Sequence, residues 1–145
     1  MPFFYYKLYK PYGYLSQFTP DHPGQKTLAD LGSFPKDVYP IGRLDKDSEG
    51  LLLLTNDNKF KSQLLDPALG HNRTYLVQVE GSPSYEDLKP LSEGITIRIK
   101  KIDHHCKPAK FKIIETDPNV PERDPPVRFL KTVPDNWIEL TLNEG

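Results

Sequence analysis

The chain has 145 residues, the usual size of one domain, and its 37% hydrophobic and 27% charged residues support a core and argue against disorder. The net charge of −1 carries no global signature of a nucleic-acid binder, and no apolar run approaches the roughly 18 residues of a membrane span. Cys106 is the single cysteine, so no internal disulfide is possible, and the start Met1-Pro2-Phe3-Phe4 lacks a basic region followed by a long apolar stretch; the reading is a cytoplasmic protein.

No repeat or low-complexity segment interrupts the chain. Phe3, Phe4, Tyr5, Tyr6, Tyr9, Tyr12, Tyr14 and Phe18 crowd the N-terminus, a pattern of strand, turn at 11–13 and strand, with most of the rings expected in core packing and any exposed ones able to stack on bases. Leu51 to Leu54 fit a short strand buried on both faces. Asn56 or Asp57 then caps a short helix with Phe60, Leu64 and Leu65 turned inward. Residues 74–79 make another strand, ending at Gly81. Ser82-Pro83 reads as a helix start, with Tyr85, Leu88 and Leu91 on one face and Gly94 as the stop.

Residues 95–100 alternate strictly, so Ile95, Ile97 and Ile99 are expected to face a core, and 110–115 read as the partner strand. Residues 118–134 hold five of the fifteen prolines and read as a long loop. From 136 to 142 the chain alternates again, with Ile138, Leu140 and Leu142 inward. Many strands and few short helices make the fold class α+β, with a mixed or antiparallel sheet.

Three segments invite a chemical reading. Asp45 to Gly50 resembles the first half of a calcium loop, but the twelfth position is Asn56 where the motif needs a glutamate, and the intervening leucines cannot wrap a hard cation. His104-His105-Cys106 has soft-metal donors, yet adjacent side chains diverge and no second cluster completes four ligands, so a turn between strands is the better reading. No metal site is expected. The third is the run from Ile41 to Asp57, which sets Arg43 and Asp45 on a polar loop that leads directly into the leucine strand. A turn or cap is the ordinary use of such an aspartate, and a catalytic carboxylate held on a braced loop is the other.

Gly42-Arg43-Leu44-Asp45, followed by Ser48-Glu49-Gly50, the four leucines and Thr55-Asn56-Asp57, resembles the active-site motif of the RsuA-type ribosomal RNA pseudouridine synthases. Lys10-Pro11-Tyr12-Gly13, Arg73-Thr74-Tyr75-Leu76-Val77 and Lys107-Pro108-Ala109 resemble further family segments, so the likeness spans nearly the whole chain. It implies a bilobed α+β domain over 1–145 with the site in a cleft, the layout of those members that begin at the catalytic fold without an S4 RNA-binding domain. It also implies that the family domain runs on past Gly145, where a basic partner for the catalytic aspartate and apolar pocket residues are expected. The 145 residues alone are accordingly expected to be inactive or weak.

The implied reaction converts a uridine, in 23S ribosomal RNA, to pseudouridine, an isomerisation that calls for no cofactor. Asp45 and Tyr75 are the implied catalytic residues, the first as nucleophile or general base and the second stacking on the uracil. Arg43 would hold the RNA backbone or fill the gap left by the flipped nucleotide. Arg73, Arg98, Lys100, Lys107 and Lys110 are the expected RNA contacts, four of them within a basic stretch, 98–112, that also reads as a solvated strand edge. Ribosomal RNA is the implied partner, and a monomer the implied state. The competing reading is a non-catalytic RNA-binding or ribosome-assembly module; a glycosidase has less support, since Asp45 and Asp47 stand too close in sequence to take its two roles.

Overall fold

In the computed structural model, which describes residues 2–128 and 134–143, the chain forms two compact units, 1–69 with 122–127 and 70–121 with 128–145. The α+β class expected from the sequence is the class observed.

The first unit begins with β1 (Tyr5–Lys10) and β2 (Tyr14–Leu15), joined by the expected turn. β3 (Lys26–Thr27) runs parallel to β2 and leads into a 3₁₀ turn, Leu28–Asp30, closed by a reciprocal Thr27–Asp30 capping box. β4 (Tyr39–Pro40) and β1 flank β5 (Gly50–Thr55) as antiparallel neighbours, so the leucine run is the central strand of a three-stranded sheet. Leu52 and Leu54 are buried with Leu28 and Val38, and Tyr6, Leu8, Phe18, Leu31, Phe34 and Leu44 pack around them. The run is not buried on both faces: Leu51 is 67% exposed and Leu53 half-buried, because this sheet has its core on one side only. The aromatics of β1 obey the same alternation. Tyr6 faces the core, whereas Tyr5 and Tyr9 are exposed, as are Phe3 and Phe4 ahead of the strand, so core packing does not absorb most of the N-terminal rings.

Asp57 caps α1 (Asn58–Leu65), its carboxylate accepting from the Phe60 N–H at 3.1 Å. The Tyr5 hydroxyl donates to the other oxygen at 2.6 Å, and the Tyr5 ring meets Phe60 edge-on. That hydroxyl and the Phe60 N–H hold the Asp57 carboxyl below its ordinary pKa. Asn56 instead ties down the N-terminus, accepting from the Phe4 N–H and donating to the Pro2 carbonyl.

The second unit is built on β6 (Arg73–Glu80). The helix after it, α2 (Tyr85–Glu93), starts two residues later than the sequence indicated. Ser84 is the cap, because it forms a reciprocal box with Asp87 that Ser82 cannot make at this spacing. Gly94 ends the helix at φ +90, where an added Cβ would stand 2.6 Å from the Cys106 carbonyl oxygen.

β7 (Thr96–Ile99) and β8 (Ile102–His105) form a hairpin whose turn is Lys100-Lys101, both at positive φ. His104 and His105 therefore lie in a strand and not in a turn, and Thr96 bonds the His105 ring at 3.1 Å. All eight strand residues of the hairpin are exposed, so Ile97 and Ile99 face no core. β9 (Lys110–Ile114) does not pair with β7. It lies beside β10 (Asp135–Leu142), which β6 flanks on the other edge. The nearby strand takes its hairpin partner, and β9 pairs across the proline-rich loop. Ile138 is the buried centre of β10, with Leu140 and Leu142 half-buried. Among the described residues no helix is long and apolar enough to cross a membrane.

Candidate active site

Asp45 is exposed, on the loop between β4 and β5, and the backbone on both sides of it is tied down. The Ile41 N–H donates to the Leu53 carbonyl at 2.7 Å, which starts the loop from the sheet. Buried Ser16 then clamps Leu44 twice, its hydroxyl donating to the Leu44 carbonyl (2.9 Å) and accepting from the Leu44 N–H (3.1 Å). The Lys46 carbonyl accepts from the Gly13 N–H at 2.8 Å and from the Lys10 ammonium at 3.2 Å, and the Ser48 N–H closes a turn on the Asp45 carbonyl at 3.0 Å. With both neighbours fixed, the Asp45 carboxylate keeps little more than its own side-chain freedom. That is the preorganisation a catalytic group requires.

Lys10 is the residue the sequence reading missed. Its side chain is fully buried, and its ammonium donates to the Pro11, Tyr14 and Lys46 carbonyls at 2.9, 2.9 and 3.2 Å. Burial pushes its pKa below the ordinary lysine value, and the Glu49, Asp47 and Asp45 carboxylates push it back toward the charged form. A buried cation in the field of the Glu49, Asp47 and Asp45 carboxylates thus stands within the first unit. The signal was present in the strand period: Tyr6, Leu8 and Lys10 occupy the inward parity of β1.

Gly42 adopts φ +75, and a Cβ there would meet the Leu65 side chain at 3.3 Å, so the loop needs glycine where it passes over the end of α1. Arg43 follows, exposed, and lines a groove with Tyr39, Phe18 and Lys61. Leu65, expected to turn inward, is 39% exposed and lines the same groove.

The other residues singled out by sequence lie in the second unit. Tyr75 is half-buried on β6 opposite Leu140, which faces Phe111 of β9; Tyr75 shares this sheet face with Arg73 at the strand start. Lys110 pairs with Thr141, which pairs with Thr74, so it points from the opposite face. Arg98 and Lys100 belong to the exposed hairpin, Arg98 lying 3.6 Å from Asp103, and Lys107 lies in the segment between β8 and β9. The basic stretch is therefore distributed over a hairpin, a connection and a strand face.

An α+β protein that carries Arg43 and Asp45 on a braced loop, with a buried lysine ammonium bonded to that loop's backbone, is the class this fold and site define. Residues 5–145 match the RNA pseudouridylate synthase family, and the chain belongs to it. It is 48% identical over 139 residues to a ribosomal large subunit pseudouridine synthase E of Xanthomonas axonopodis pv. citri (strain 306), covering 95% of this chain and 70% of that one. It is 46% identical to the protein of the same name from Vibrio parahaemolyticus serotype O3:K6, covering 94% of this chain and 54% of the relative. Among solved structures, a pseudouridylate synthase superposes with a TM-score of 0.74 at 26% identity, over 99% of this chain and 53% of that one.

Proposed function

We propose that the chain carries the catalytic aspartate of a large-subunit ribosomal RNA pseudouridine synthase, acting as a monomer in the cytoplasm on a uridine of 23S ribosomal RNA. The observation that carries this reading is the Asp45 loop, pinned by Lys10, Gly13 and Ser16 within a chain of this family. The uridine N1–C1′ bond breaks, the base turns, and C5 bonds to C1′; C5 gives up its proton and N1 gains one, so nothing is oxidised or reduced. Asp45 acts as nucleophile or general base, by attack at C1′, addition to C6 or removal of a ribose proton. Tyr75 stacks on the uracil, and Arg43 supports the extruded nucleotide. Arg73, Arg98, Lys100, Lys107 and Lys110 contact phosphates, which position the RNA without reading its sequence.

A module that only bound RNA would gain nothing from a fixed carboxylate at this point, since the charge repels phosphate. Asp45→Asn separates the two readings. In the complete protein, tritium release from C5-labelled uridine in ribosomal RNA is expected to vanish while RNA binding persists; pseudouridine formed at the normal rate would remove Asp45 from the chemistry. Mapping the pseudouridine missing from ribosomal RNA of a gene-deletion strain identifies the target uridine.

A further inference from the structure

We propose that the groove beside the Asp45 loop is a second nucleotide subsite, which takes one unpaired nucleotide flanking the target uridine, its base stacked on Tyr39 and its phosphate held by Arg43 and Lys61. The proposal rests on the RNA pseudouridine synthase reading and adds to it a place for a neighbouring nucleotide. The groove has a volume of about 600 Å³, and its walls include Gln17, Phe18, Asp21, Tyr39, Arg43 and Lys61. That volume falls in the range of sites that enclose a small ligand, roughly 300–1,000 Å³.

Tyr39 is 56% exposed, yet its ring is firmly founded. It stands edge-on to Phe18 (6.5 Å between centroids), Phe18 to Phe34 (5.6 Å), and Phe34 to Tyr6 (5.1 Å). This column runs from the core to the groove and holds an open aromatic surface at little entropic cost. Such a surface suits a base of any identity, because every base offers a π-face. Pairing of β4 with β5 fixes the backbone of Tyr39, and Asp45 lies six positions further along the chain, a reach of at most about 20 Å.

The charges select a nucleotide over a bare anion. Among the described residues, neither Arg43 nor Lys61 forms an ion pair or a side-chain hydrogen bond, so both cations are open to a phosphate. The same groove holds the Asp21 carboxylate, fixed by the Gln17 amide at 3.1 Å, and Gln25 accepts from the Asp21 N–H at 2.8 Å. A carboxylate repels phosphate but accepts from the amino or imino hydrogens of a base. A ligand with an anionic part and a donor-bearing flat part satisfies both.

The test uses the full chain and a single-stranded heptaribonucleotide with a central uridine, with abasic versions at each flanking position, read by fluorescence anisotropy. Tyr39→Ala is expected to raise Kd about ten-fold for the intact heptamer, and Tyr39→Trp to restore it. An abasic site at one flanking position should weaken binding to the unaltered protein by a similar factor and add nothing to Tyr39→Ala. Lys61→Gln should weaken binding and flatten its salt dependence. Equal Kd values for Tyr39→Ala and the unaltered protein, or losses that simply multiply at every abasic position, would overturn the subsite. A peptide that competes for Tyr39 while the heptamer does not would reassign the groove to a protein partner. Pseudouridine formation in ribosomal RNA is measured in parallel with the complete gene product, so a complete protein that stacks RNA on Tyr39 but makes no pseudouridine defeats the enzymatic reading and not the subsite.

Discussion

The Asp45 loop and the β7–β8 hairpin are both polar, both close to basic residues, and built on opposite principles. The loop exposes Arg43, Asp45, Lys46, Asp47 and Glu49, but its backbone is bonded to β1, β5, Gly13 and Ser16. The hairpin is exposed at every strand residue and turns through two lysines at φ 50 and 69. The first arrangement fixes one group in place; the second presents charge on a projecting ribbon. Chemistry at a carboxylate needs the former, and the proposed phosphate contacts, which tolerate adjustment, suit the latter.

The comparison breaks most severely at Lys10. Lys10→Met removes a donor from three carbonyl groups, of which Lys46 keeps the Gly13 N–H, and empties a buried ammonium site; a loss of about 3 kcal/mol is expected in urea denaturation. Pseudouridine formation should fall further than the unfolded fraction accounts for, because the Lys46 carbonyl loses one of its two anchors. Activity unchanged at a temperature where the variant is fully folded would show that Gly13 and Ser16 suffice to hold the loop.

The hairpin answers differently. Non-glycine residues at positive φ cost about 1 kcal/mol each, so replacing Lys100-Lys101 by Asn-Gly should stabilise the turn by about 1 kcal/mol. The same change should weaken RNA binding and lower the slope of log K against log salt by about 1.5, two phosphate contacts' worth. A more stable protein that binds RNA less tightly would separate the structural from the electrostatic role. An unchanged salt slope would take these two lysines out of the interface.

The smallest expected effect lies at the helix caps. Asp57 and Asp87 are held below their ordinary pKa by the N–H and hydroxyl donors they accept. A lowered folded-state value means that their contribution is complete above the unfolded value of 3.8 and disappears as the pH falls through the lower folded values. Acid titration followed by circular dichroism should therefore show Asp57→Asn losing less stability below pH 3.8 than the unaltered protein, since asparagine caps a helix without titrating. Identical acid profiles would mean that this cap carries no pH-dependent stability.

Local features were legible in the chain wherever a short-range rule governs them. The turn after β1, the Asp57 cap, the β6 strand and the Gly94 stop follow from neighbours a few residues apart. The Gly42 to Asp57 run pointed to the family because so long a motif has one resemblance. Alternation told which residues share a face, and it put Ile97 and Ile99 together correctly. It could not say whether anything covers that face, and nothing buries them. The same ambiguity made Leu51 look buried and hid the burial of Lys10, read only within a family segment, on the inward side of β1.

The α+β class, the family and the choice of Asp45 as candidate carboxylate were readable from the chain alone, because each is written in local pattern or in contiguous residues. Tertiary structure decided the rest. β9 pairs with β10, the hairpin stands apart, and a buried ammonium organises the active-site loop. These depend on residues tens of positions apart meeting in space, where the competition among partner strands and the desolvation of a charge are settled by the whole fold.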